Sequence, residues 1–153
     1  MMPRTAAQAT RPSLDFAPVA LIADDDRIIR ELCREVLEAE TFRVLTAANG
    51  QEALALAEAW IPDVLVTDVG MPSLDGFGLV RALRRLYPEV PVIVMTGDDE
   101  YDGRPVEAVA AEHGAVATFA KPFDVAELEA AVRRAVPYLT SAPLRVPADN
   151  RAA

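Results

Sequence analysis

The sequence predicts a doubly wound α/β fold: a five-stranded parallel sheet with helices on both faces. Two observations carry this. Short, continuous apolar runs alternate five times with stretches of helical periodicity within about 120 residues, and apolar strands of that kind are buried on both sides. The punctuation also fits, with Asp ahead of several helical stretches and Pro or Gly after them.

The elements follow in order. "VALIA" is a fully apolar strand. "RIIRELCREVLEAE" sets Ile28, Ile29, Leu32, Val36 and Leu37 on one helical stripe. "FRVLTA" alternates as a strand does. "GQEALALAEAW" is a helix rich in Ala and Leu, and Pro62 stops it. "DVLVT" is a third strand. "DGFGLVRALRRLY" spaces Leu79, Leu83 and Leu86 as a helix, with Pro88 just beyond. "PVIVMT" is β-branched and continuous. "GDDEYDGRP" is a loop. "RPVEAVAAEHG" is a short helix, with Pro105 suited to its first turn and Gly114 to its C-terminal cap. "AVATFA" is a strand, and "DVAELEAAVRRAV" a helix capped by Asp124. The expected strand order is flavodoxin-like.

The 153 residues suffice for one domain with a core. Residues 1–17 and 138–153 are poor in packing signals and are expected to be flexible extensions around a domain at 18–137. The net charge of −9 argues against broad binding to nucleic acid or to an anionic membrane surface. The lone cysteine, Cys33, excludes an intrachain disulfide and a cysteine-based zinc cluster. No apolar run approaches the roughly 20 residues of a membrane span, and no secretory signal is evident, so the expected compartment is the cytoplasm.

In an open parallel sheet, ligands bind beyond the carboxyl ends of the strands, where the strand order reverses. The first strand ends in Asp24, Asp25 and Asp26, the third in Asp68, the fourth in Thr96 and the fifth in Lys121. The second ends in Ala47 and Ala48, which carry no chemistry. Adjacent carboxylates repel one another, so their presence calls for a cation. Carboxylate oxygens suit Mg²⁺, an ammonium and a hydroxyl suit phosphoryl oxygens, and a carboxylate can itself become an aspartyl phosphate.

"LIADDD", "VLVTDVGMPSLDG", "VIVMTG" and "FAKPF", in this order and spacing, resemble the receiver domain of two-component response regulators, including the small chemotaxis type. The resemblance covers about residues 19–136. It implies that Asp68 is the phosphoacceptor and that Asp24 and Asp25 are the acidic pair at a Mg²⁺ site. Asp25 would be the more direct ligand, with the main-chain carbonyl of Gly70 adding to the coordination. It implies that Thr96 is the switch hydroxyl and Lys121 its phosphoryl-binding partner, with the bond to Pro122 cis. The implied partners are a sensor histidine kinase or histidine phosphotransfer protein and a downstream protein target. No DNA-binding domain is expected, so output would be protein contact or phosphate relay.

Other residues receive plainer readings. Asp26 and Asp75 are expected to be helix caps, His113 a solvated helix end, Cys33 a packed small hydrophobe and Trp60 a packing residue. The family's usual aromatic, three residues before the lysine, is replaced by Thr118, and period-two alternation turns Phe119 to the opposite side. Signalling is therefore expected to rest on Thr96 and backbone shifts. Gly70 and Asp98 occupy two places that influence phosphoryl lifetime in the family. Two alternatives stand beside this reading. A haloacid-dehalogenase-like phosphohydrolase also uses Asp, Thr, Lys and Mg²⁺, but "DDDRI" lacks the threonine of its nucleophile motif. A degenerate receiver would act as a constitutive adaptor.

Overall fold

A computed structural model describes residues 17–137. The expected extensions at 1–17 and 138–153 lie outside the described residues, Ala17 excepted. Five strands form one parallel sheet: β1 (Val19–Ala23), β2 (Arg43–Ala47), β3 (Val64–Asp68), β4 (Val92–Thr96) and β7 (Ala117–Ala120), in the order β2-β1-β3-β4-β7. This is the expected flavodoxin-like order. The strand sequence reverses between β1 and β3, which pair from Ala20↔Val64 to Ala23↔Thr67. Asp24 and Asp68 therefore emerge side by side at the switch point.

The helices are α1 (Arg27–Ala39), α2 (Gly50–Trp60), α3 (Gly76–Leu86), α4 (Val106–Glu112) and α5 (Val125–Ala135). Two buried clusters flank the sheet. Cys33, Val36 and Leu37 of α1 and Leu128, Ala131 and Val132 of α5 cover one face. The other is covered by Ala53 and Ala57 of α2, Phe77, Leu79, Val80 and Leu83 of α3, and Val106, Val109 and Ala110 of α4. Successive strand residues serve opposite clusters, as in Leu21 against Ala20 and Ile22.

Most of the local signals act as read. The side chains of Asp26, Asp75 and Asp124 accept hydrogen bonds from Ile28 N, Gly78 N and Ala126 N and so cap α1, α3 and α5. Gly114, past the end of α4, has φ +81°. Ile61 ends α2 in a left-handed conformation just before Pro62. Cys33 is fully buried.

Some expectations need correction. Ile28 is not on the buried stripe: it is 76% exposed, and Cys33 takes its place on the apolar face. Ile28 follows the cap by only two positions, where the helix face turns outward. Trp60 is 43% exposed and covered by the Arg43 guanidinium 5.3 Å from its ring centroid, a cation–π contact rather than core packing. His113 is half-buried against Phe77, with ring centroids 4.8 Å apart. Pro105 precedes α4 as its cap residue. The loop after β4 holds an antiparallel pair, β5 (Glu100–Tyr101) and β6 (Arg104–Pro105). Its turn, Asp102-Gly103, has φ of 54° and 79°. Two positive φ values in a two-residue loop are what an Asp-Gly hairpin requires.

Candidate phosphoacceptor site

The site is assembled by the ends of β1, β3, β4 and β7. Asp24 is fully buried. Its Oδ1 accepts the Asp26 amide at 2.8 Å, and its Oδ2 accepts from Lys121 Nζ at 2.7 Å. The same ammonium lies 3.4 Å from Asp68 Oδ1. One lysine, arriving from 97 residues away in sequence, thus bridges two carboxylates from two adjacent strands. Asp68 is 7% exposed, and its Oδ1 also accepts the Val69 amide at 2.8 Å. Thr96 is buried at the end of β4, its Oγ1 accepting the Asp98 amide at 3.0 Å. The Lys121 amide donates to Thr96 O at 2.8 Å, which ties the lysine's backbone to the threonine's. The Lys121–Pro122 bond is cis, as expected.

The loop after β3 is held close by a glycine. Gly76 N donates to Val69 O at 2.8 Å. A Cβ at this position would fall 2.0 Å from Asp68 O, so only glycine allows α3 to begin against the backbone of Asp68.

Asp24, Asp25 and Asp68 each offer an oxygen, and these atoms all lie within 4.8 Å of one another. Asp25 is exposed and free to turn to a ligand, whereas both oxygens of Asp24 are already engaged. Three hard oxygen donors of this kind fit Mg²⁺. Burial, reinforced by the charge of Asp24 and opposed by Lys121 and the Val69 amide, pushes the Asp68 carboxyl up to about 6. Burial alone would lower the Lys121 ammonium. The hydrogen bond and charge of Asp24, then of Asp68, outweigh this and hold it above its ordinary range.

Asp24, Asp25, Asp68, Thr96 and Lys121 come together at this rim, while Asp26 and Asp75 cap helices, as read from the sequence. Gly70 and Asp98 also meet: a Cβ on Gly70 would lie 3.9 Å from Asp98 Oδ2. Thr118 of β7 pairs with Val94, while Phe119 turns to the α1/α5 side and stacks with Phe123. A residue that sequence reading missed is Arg30, whose Nη1 donates to Asp24 O at 2.9 Å. The signal was its place four residues after the Asp26 cap, because helical side chains lean back toward the N-terminus. A hydrolase nucleophile would have to be Asp24, at the end of the first strand. That side chain is fully buried and committed to Lys121 and the Asp26 amide.

Residues 20–133 match the family described as the response regulator receiver domain. The chain is 35% identical over 117 residues to sporulation initiation phosphotransferase F of Bacillus subtilis, covering 76% of this chain and 92% of that protein. It is 36% identical over 121 residues to the DNA-binding transcriptional regulator NtrC of Salmonella typhimurium, covering 78% of this chain but only 25% of the relative's length. Among solved structures, chemotaxis protein CheY4 of Vibrio cholerae superposes with a TM-score of 0.70 at 30% identity, covering 78% of this chain and 98% of that one. A receiver domain from Clostridium thermocellum superposes with a TM-score of 0.72 at 28% identity, covering 81% and 98%.

Proposed function

The chain belongs to the response regulator receiver family, whose members are phosphorylatable switches of two-component signalling, and from that premise we propose that Asp68 is its phosphoacceptor. The observation that carries this is the Lys121 ammonium set between Asp24 and Asp68 at the rim that also holds Thr96. The donor is a phosphohistidine on a sensor kinase or phosphotransfer protein. An Asp68 carboxylate oxygen attacks phosphorus in line, the P–N bond breaks, and its electron pair returns to the imidazole. Asp24, Asp25, Asp68 and the Gly70 carbonyl would hold a Mg²⁺ ion, which would supply positive charge to offset that of the phosphoryl oxygens. Lys121 keeps Asp68 oriented and gives its ammonium to a phosphoryl oxygen. Thr96 Oγ1 donates to another, leaving the Asp98 amide. The chain catalyses its own phosphorylation and dephosphorylation, with Gly70 leaving water room and Asp98 beside it.

The output is contact with a downstream protein. The net charge of −9 disfavours nucleic acid and anionic membrane as partners. Among the described residues no helix is long and apolar enough to cross a membrane, and we place the protein in the cytoplasm.

Incubation with acetyl phosphate and Mg²⁺, read by intact mass, tests the assignment. Wild type should gain one phosphoryl group and Asp68→Asn none. A phosphoryl group retained in Asp68→Asn, on Asp25 for instance, would overturn it.

A further inference from the structure

We propose that Tyr101 is the residue through which this receiver couples Thr96 to the start of α3, a positioning role played by the hairpin after β4. The inference rests on the reading of Thr96 as the phosphoryl-binding hydroxyl. Tyr101 Oη donates to Asp75 Oδ2 at 2.8 Å, and the other oxygen of Asp75 accepts the Gly78 amide at 2.8 Å. The Tyr101 ring meets Phe77 edge-on, with centroids 4.7 Å apart, and Phe77 stacks on His113. One side chain therefore clasps the hairpin to the cap of α3, and its ring begins a stack that runs through α3 to the end of α4.

Both ends of the clasp are joined to the site through neighbouring residues. Asp75 precedes Gly76, which packs against Asp68 O. On the other side, Thr96 Oγ1 accepts the Asp98 amide, and Asp99 O accepts the Val106 amide at 2.9 Å, only two residues before Tyr101. When Thr96 turns to a phosphoryl oxygen, the Asp98 amide loses its acceptor and, on an exposed loop, must turn to water instead. Residues 97–99 must then readjust, which shifts the hairpin that follows. Shifting it strains the Tyr101–Asp75 bond and the ring contact with Phe77. The clasp thus favours the arrangement without phosphate and opposes the one with it. Thr118, half-buried and small, has no ring to do this work.

Beryllofluoride with Mg²⁺, a stand-in for the aspartyl phosphate, tests the clasp in wild type, Tyr101→Phe, Thr96→Ala and the double variant. Tyr101→Phe keeps the ring and removes only the hydroxyl. It should bind beryllofluoride more tightly, by roughly three- to tenfold, the span of one net hydrogen bond. In the Thr96→Ala background the same change should have little effect, because the coupling runs through the threonine. His113, the chain's one histidine, is a native NMR probe of the stack. Its ring resonances should move on beryllofluoride binding in wild type and lie part-way along that path in Tyr101→Phe. An unchanged affinity in Tyr101→Phe, or an equal effect with and without Thr96, overturns the inference while the proposed function stands. Failure of wild type to bind beryllofluoride removes both.

Discussion

At the scale of single residues, the electrostatics of Asp68 make a prediction that needs no partner. Its carboxyl ordinarily titrates near 3.8 and is pushed up to about 6 by burial, then by Asp24. Between those two values the folded chain therefore holds a proton there that the unfolded chain has released. Its contribution to stability is fully present below the unfolded value and is lost as pH rises through the folded one. Without metal, the ionised form costs about 1–3 kcal/mol at pH 7, at about 1.4 kcal/mol per unit and after allowing for residual hydration. Asp68→Asn, denatured with urea in the presence of a chelator, should be more stable than wild type by about 1–2 kcal/mol at pH 7.5. The gap should close towards pH 4. A gap that widened on acidification would show that Lys121 stabilises the Asp68 carboxylate more than burial penalises it.

At the scale of elements, the junction of β3 with α3 is set by close contact. Gly76 begins α3 where a Cβ would fall 2.0 Å from Asp68 O and 2.9 Å from Val69 Cα. Backbone atoms cannot yield as a flexible side chain does. Gly76→Ala should destabilise by about 2–3 kcal/mol or more and should slow phosphorylation by displacing Asp68. A Tm unchanged within error would contradict the packing described. The hairpin of β5 and β6 is the other element with a functional consequence. Tyr101 packs it against the core, whereas Glu100, Asp102, Gly103 and Arg104 are exposed. On addition of beryllofluoride, hydrogen exchange should change most in residues 96–105 and least in β7. Thr118→Ala should leave that pattern nearly intact, and its loss would assign the switch to Thr118.

At the scale of the whole molecule, three carboxylates at the switch point set stability against ligand binding. Asp24, Asp25 and Asp68 crowd negative charge on one rim, and Lys121 is the one cation that contacts two of them among the described residues. A ligand that binds only the folded chain stabilises it by mass action. Mg²⁺ at about a hundredfold over its Kd should raise Tm by roughly 10 °C for a domain of this size. Asp25→Ala should lose that response while its metal-free Tm is no lower than that of wild type. An unchanged Mg²⁺ titration in Asp25→Ala would remove Asp25 from the coordination shell.

The sequence by itself determined the strands, the helices and the residues at the rim. Apolar runs, caps and breakers act over a few neighbours, and the same alternation that buries VALIA and VIVMT on both faces forces their polar successors to the carboxyl edge. Asp24, Asp68, Thr96 and Lys121 were legible for this reason, as was Phe119 turning away from Thr118. The tertiary structure decided what depends on elements meeting. Ile28 lies outside the core because α1 rotates so that Cys33 faces the sheet. His113 is half-buried because Phe77, from another helix, supplies the ring it stacks on. Tyr101 and Asp75, 26 residues apart, share a hydrogen bond only because the hairpin folds back over the start of α3. The Asp102-Gly103 pair carried the local signal for that turn, but its strands are two residues each, too short for period-two alternation to register. Arg30 reaches Asp24 O by the lean of helical side chains and the angle at which α1 leaves β1. Periodicity specifies which face a residue occupies; distances between faces follow only from the packing of the sheet and its helices.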